Sequence, residues 1–219
     1  GTLRNQEASA VTRPFGFERP KEPRRGRWTV EEVEWFKELW GLRDEETIAR
    51  ELGRLPESLR RMARKVFDGP VRTGPWSAEE VLRLKQYIGG SRLQTIAQVF
   101  SRSVEDLRTK LAQLAVDVSN DPLDQEEQAT FKRVFGTRTD EDLALIFGRR
   151  LDVIRETAKE LCLSKDKGFL RREGDGDEPT RMPRWTPEDL EILATLYASV
   201  SNLEIARRLD RSVKSVVSK

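Results

Sequence analysis

Apolar positions along this chain fall into short bursts at helical spacing, separated by polar turns. Val33, Phe36, Leu39 and Trp40 form one such burst, and Val81, Leu84, Tyr87 and Ile88 another. Phe131, Val134 and Phe135 form a third, and Leu190, Leu193, Leu196 and Tyr197 a fourth. Spacings of three and four place each set on one face of a helix. Thr29, Ser77, Asp124 and Thr186 stand just ahead of these bursts, each followed by acids. Glu32, Glu80, Glu127 and Asp189 sit three residues on, and the glutamates complete capping boxes. Paired acids at 31–32, 79–80 and 126–127 are therefore read as helix caps rather than acid/base pairs.

The bursts belong to a repeat. Trp28, Trp76 and Trp185 each precede an Ile-Ala pair by twenty positions, at Ile48-Ala49, Ile96-Ala97 and Ile205-Ala206; Leu123 stands the same distance ahead of Leu143-Ala144. Six residues after each Ile or Leu comes Arg54, Arg102, Arg149 or Arg211. Five further on comes Leu59, Leu107, Ile154 or Val216. Each unit reads as three short helices, the last two in a helix-turn-helix. The expected fold is all-α, with units at 26–68, 73–117, 121–163 and 182–219, an arm at 1–25 and a linker at 164–181. The three tryptophans are expected in the cores. The final helix stops early at Lys219, which is read as the edge of part of a larger protein.

Gly26-Arg27-Trp28-Thr29-Val30-Glu31-Glu32 and Gly74-Pro75-Trp76-Ser77-Ala78-Glu79-Glu80 resemble the opening of Myb/SANT-type repeats, and the Ile-Ala pair and following arginine resemble their second half. The chain departs from that pattern by keeping at most one of three spaced tryptophans per unit. The last unit, from Ser201 to Val216, is also similar to the helix-turn-helix of bacterial response regulators. Both resemblances imply a third helix that reads double-stranded DNA, and hence an intracellular protein associated with a nucleoid or nucleus, acting as a transcription regulator or chromatin factor.

Composition narrows the options. The 219 residues carry a net charge of only +2, so a nucleic-acid footprint must be local. One cysteine, Cys162, and no histidine exclude a disulfide and leave no zinc-ligand set; Cys162 is expected as a buried structural thiol. No apolar run suggests a membrane span, and no glycine-rich phosphate loop or nucleophile–base pair suggests an enzyme, a cofactor or a small-molecule substrate. Local positive charge is concentrated in two places. Arg24, Arg25 and Arg27 close a cationic arm suited to a minor groove, and Ser58, Arg60, Arg61, Arg64 and Lys65 share the outer faces of the first unit's third helix.

The phosphate-binding candidates are the shared arginines Arg54, Arg102 and Arg211, with Arg108 and Lys110 in the second unit. In the last unit Lys214, Ser215, Ser218 and Lys219 are expected at the DNA. The third helices of units two and three are near neutral or acidic, with Asp152, Glu156 and Glu160 opposing Arg155 and Lys159. These two units are the expected seat of a protein partner, and a protein-interaction array is the alternative reading of the whole chain.

Overall fold

Helices form where the caps and apolar bursts place them. The computed structural model describes residues 13–14, 17–174 and 184–219, so the expected arm and linker fall partly outside the described residues, at 1–12, 15–16 and 175–183. Thirteen α-helices and one 3-10 turn, Phe135–Thr137, are present among the described residues, with no β-strand. The protein is all-helical. It divides into two compact units, Gly1–Asp117 and Val118–Lys219.

The first unit holds α1 (Val30–Leu39), α2 (Glu45–Leu52), α3 (Pro56–Phe67), α4 (Ala78–Tyr87), α5 (Leu93–Phe100) and α6 (Val104–Val116). Capping boxes close the N-termini of α1 and α4, with Thr29 and Ser77 accepting from the N–H groups of Glu32 and Glu80. The helix pairs α2/α3 and α5/α6 are joined by left-handed residues, Gly53 at φ 61° and Ser101 at φ 51°. The next residue then donates its N–H back into the helix, Arg54 to Ala49 and Arg102 to Ala97. That bond explains why the alanine and the arginine keep a fixed spacing.

Phe36, Leu39, Ile48, Leu52 and Leu59 are sealed inside, as are Leu84, Ile96 and Leu107. Trp35 is also buried, although the helical pattern did not single it out. The stretches 26–68 and 73–117 pack on each other. The Trp40 indole donates to Gln98 at 3.0 Å, and Gly41, at φ 88°, lets Tyr87 and Val99 approach so closely that a Cβ would meet them at 3.0–3.1 Å. The described residues of the arm are docked on the first unit. Arg13 and Arg19 both reach Glu51, Pro20 rests on Gly53, and the Arg24 N–H donates to the Gly53 carbonyl.

The second unit holds α7 (Gln125–Val134), α8 (Asp140–Phe147), α9 (Leu151–Glu160), α10 (Lys167–Glu173), α11 (Pro187–Leu196), α12 (Asn202–Leu209) and α13 (Val213–Val217). Capping boxes recur at Asp124/Glu127 and Thr186/Asp189, so the shorter aspartate closes a box as the glutamates do. One core gathers Leu123, Phe131, Phe135, Leu143, Phe147 and Ile154. A smaller one gathers Ile205, Ala206 and Val216, with Cys162, Trp185, Leu193 and Leu196 half-buried against it. Cys162 is thus only half-buried, a correction to the expected sealed thiol.

Two further expectations are corrected here. The stretch 164–181 begins as structure rather than linker: α10 buries Phe169, and Lys165 packs its ammonium 3.7 Å from the Phe135 ring centroid. Burial lowers the Lys165 pKa, against the opposing pull of Asp140. In the last segment, Leu190 and Tyr197 were expected in the core and are instead 38% and 70% exposed.

Candidate functional site

The arginine shared by the four segments does not face solvent. Arg54 lies beneath the Trp28 ring, 5.1 Å from its centroid, and its Nη2 donates to Glu32 Oε2 at 2.6 Å and to the Arg27 carbonyl at 3.0 Å. Its Nη1 donates to the Gly26 carbonyl at 3.0 Å. Arg102 repeats the arrangement with Glu80 at 3.0 and 3.1 Å, the Gly74 and Pro75 carbonyls, and the Trp76 ring at 4.7 Å. Arg211 does so with Asp189 at 2.7 Å, the Arg184 carbonyl and the Trp185 ring at 4.4 Å. Each acid is also the capping-box residue, receiving the N–H of Thr29, Ser77 or Thr186. One carboxylate therefore ties the first helix's cap to the turn before the third helix.

Phosphate binding by Arg54, Arg102 and Arg211 is corrected on this geometry. Arg54 and Arg102 are 4% exposed, and the Arg211 side chain is 7% exposed. A guanidinium roofed by an indole, with its Nη groups on carboxylate and carbonyl acceptors and its Nε buried, presents no donor at the surface to a duplex. Two of the acids, Glu80 and Asp189, respond as expected of such partners. The Ser77 N–H, followed by Arg102 and Arg72, holds Glu80 below the usual carboxylate pKa. Arg211, then the Thr186 N–H, does the same for Asp189.

In segment 121–163 a leucine replaces the tryptophan, and the bond survives in a wetter form. Arg149 reaches Glu127 at 2.9 and 3.2 Å with no ring above it, and the two side chains are 15% and 29% exposed.

The tryptophans are half-buried and engaged internally. Trp28 donates its indole N–H to Ser58 at 3.1 Å, and Trp76 donates to Asp106 at 3.0 Å. Ser58 is consequently half-buried with its oxygen already accepting, which withdraws it from the base-reading set. Ser215 is 7% exposed, its N–H bonded to the Ser212 hydroxyl and its carbonyl to the Ser218 hydroxyl. Base reading by Ser215 is likewise corrected.

Several remaining candidates are occupied at the surface. Lys214 pairs with Asp166, Arg108 with Glu105 at 2.9 Å, and Arg60 with Glu45 at 2.6 Å. Lys110 leans on Gln113 at 3.4 Å, and Arg24 reaches Glu32 at 3.4 Å. Arg155 of α9 is drawn to Asp140 at 3.4 Å. Ser218 and Lys219 are exposed beyond α13.

Among the candidates, five exposed cations without an ion pair remain, on α3 and on the turn before α1. Arg61, Arg64 and Lys65 are exposed on α3, and among the described residues none has an ion-pair partner. Arg25 and Arg27, also exposed and unpaired among the described residues, belong to the turn that Arg54 holds by the carbonyls of Arg24, Gly26 and Arg27. Because Trp28 also bonds Ser58 in the first turn of α3, this turn is fixed at the N-terminal end of that helix. The buried lock thus positions the exposed cations. Sequence spacing found all five of these residues but not the carboxylate partners of the shared arginines. The signal was present, since an acid precedes each of those arginines by 22 positions.

No group of His, Cys, Asp or Glu among the described residues is arranged to hold a metal ion, and none of the described helices is long and apolar enough to cross a membrane. Comparison with family models, curated proteins and solved structures finds no match.

Proposed function

We propose that this chain is an array of four Myb-like helix-turn-helix repeats that binds double-stranded DNA without catalysis, cofactor or small-molecule substrate. The observation that carries the reading is the α3 surface: three unpaired cations on a third helix, extended by Arg25 and Arg27 at its N-terminal end. On the equivalent helices Arg108, Arg155 and Lys214 are paired with acids, while Lys110 reaches Gln113 and Lys159 stands without an ion pair among the described residues. A third helix lying in the major groove presents outward side chains to base edges while flanking cations hold phosphates. In this reading Arg61 and Lys65 approach bases, and Arg25, Arg27 and Arg64 hold the backbone. DNA association in a nucleoid or nucleus, and a role in transcription or chromatin, follow from the same proposal.

A second reading applies to segments 73–117 and 121–163. Arg108 and Arg155 are paired with acids, and α9 presents Asp152, Glu156 and Glu160. A phosphate backbone repels such faces, which suit a protein partner better, so these segments are assigned to protein contact within a DNA-associated assembly.

Titration against a random-sequence duplex at two salt concentrations tests the proposal. Five free cations give a log–log salt slope of about −4 to −5. A flat response, or no binding at micromolar protein in low salt, refutes it.

A further inference from the structure

Arg13 and Arg19 are not among the five free cations, because one carboxylate holds both. They converge on Glu51 of α2, and between them the Phe17 N–H donates to the Pro14 carbonyl at 3.0 Å. Further along, the Pro20 ring lies so close to Gly53 that a Cβ there would collide with it, and the Arg24 N–H donates to the Gly53 carbonyl at 2.6 Å.

The hold on the outer arm is electrostatic rather than apolar. Of the described residues between 13 and 25, Phe17 and Pro20 are half-buried and the rest are exposed. Glu51 is 14% exposed, against 39% for Arg13 and 51% for Arg19. Burial raises the Glu51 pKa, but the hydrogen bonds from Arg13 and Arg19 outweigh it and hold the carboxyl below the usual glutamate value. The repeat does not demand an acid here. Aligned on Ile48, the position of Glu51 is Val99, Ile146 and Arg208 in the other segments. The glutamate occurs only in the segment on which the arm docks.

Carboxylate and phosphate offer a guanidinium the same charge-assisted bonds. Exposed ion pairs of this kind are weak. A duplex lying against the neighbouring Arg25 and Arg27 therefore competes well for Arg13 and Arg19, and it gains further from counterion release. We propose that Glu51 is an internal stand-in for a backbone phosphate, holding Arg13 and Arg19 on α2 in the free protein and yielding both to DNA in the complex. The inference rests on the DNA-binding reading above, to which it adds two contacts and a competitor. The bond from Arg24 to Gly53 stays, so the outer arm swings from there while Arg25 and Arg27 keep their place.

The test measures duplex affinity of the full chain for the parent, Glu51→Gln, Arg13→Gln with Arg19→Gln, and all three changes together. Glu46→Gln is the control: Glu46 is exposed on α2 with no ion pair among the described residues, so the same charge is removed without touching the arm. Glu51→Gln is expected to tighten binding about threefold to tenfold, the range that two exposed ion pairs allow, and Glu46→Gln less than about twofold. The arginine double variant binds more weakly, with a log–log salt slope shallower by about 2 than the parent's. The triple variant matches the arginine double. No gain from Glu51→Gln, or the same gain without the two arginines, overturns the proposal. In the free chain, Glu51→Gln should speed hydrogen exchange at residues 17–24 and leave α2 unchanged; unaltered exchange there overturns the latch whatever the DNA result. A parent that fails to bind duplex refutes the DNA-binding reading and this inference with it, whereas a parent that binds while Glu51→Gln matches it refutes this inference alone.

Discussion

Segments 26–68 and 121–163 are held by the same bond and present opposite surfaces. In the first, Arg54 and Glu32 meet beneath Trp28 with side chains 3% and 1% exposed. In the other, Arg149 and Glu127 meet without a ring, several times more exposed. The indole therefore dries the pair rather than creating it. Outside, α3 carries free cations where α9 carries Glu156 and Glu160. Inward positions are bound by the requirement to close a small three-helix core, whereas outward positions are free to differ, and the proposed functions separate on that difference in surface.

Removing one charge from each pair should break the comparison most visibly. Glu32→Gln leaves Arg54 buried without its counter-charge and is expected to cost about 3–5 kcal/mol, whereas Glu127→Gln should cost about 1 kcal/mol or less, as for a solvent-screened pair. Segment-resolved hydrogen exchange reads both without assuming one global transition. Equal losses would show that the ring does not matter to the pair.

Trp28→Leu copies the third segment into the first. It forfeits the stacking on Arg54 and the bond to Ser58, together about 2 kcal/mol. Exchange at α3 should rise toward that of α9, and an unchanged α3 would remove the indole from the account.

A smaller effect concerns acid. The folded pKa of Glu80 lies below the ordinary glutamate value of about 4.5, so its contribution is present above about pH 4.5 and is lost as pH falls through the depressed value. Glu80→Gln should flatten the acid limb of stability of segment 73–117 below pH 4.5. A limb of undiminished steepness in that variant would assign it to other carboxylates.

The smallest change is expected on α9. Glu156→Ala with Glu160→Ala should leave DNA affinity unchanged or raise it by about twofold, since only a weak repulsion from phosphate is removed.

Much of this fold was legible in the sequence because its governing signals are local. The boundaries Pro56 and Phe67 followed from a proline at the helix start and inward Leu59 and Ala63, and the capping boxes followed from residues three apart. The direction of Arg54 was not legible from its own neighbourhood, because its partner Glu32 is supplied by another helix. α10 escaped because seven residues with one buried anchor, Phe169, show no period. The docked arm escaped for the same reason: it rests on long-range partners, Glu51 and Gly53, with no pattern of its own. Among the candidate residues, the exposure of Arg61, Arg64 and Lys65 was legible because they face outward on a helix with an evident inward stripe. Ser215 was misplaced because α13 is five residues long and has too little stripe to define its faces.

The measurement closest to the central claim is duplex-DNA affinity at one fixed salt for Arg61→Glu with Lys65→Glu, beside the α9 double variant and the unaltered chain. Both side chains on α3 are exposed, so circular dichroism should show the fold unchanged. The account predicts that reversing these two charges weakens binding at least a hundredfold, about 2.7 kcal/mol, while the α9 variant binds as well as the parent. Full affinity in the α3 variant, with loss in the α9 variant, would contradict it.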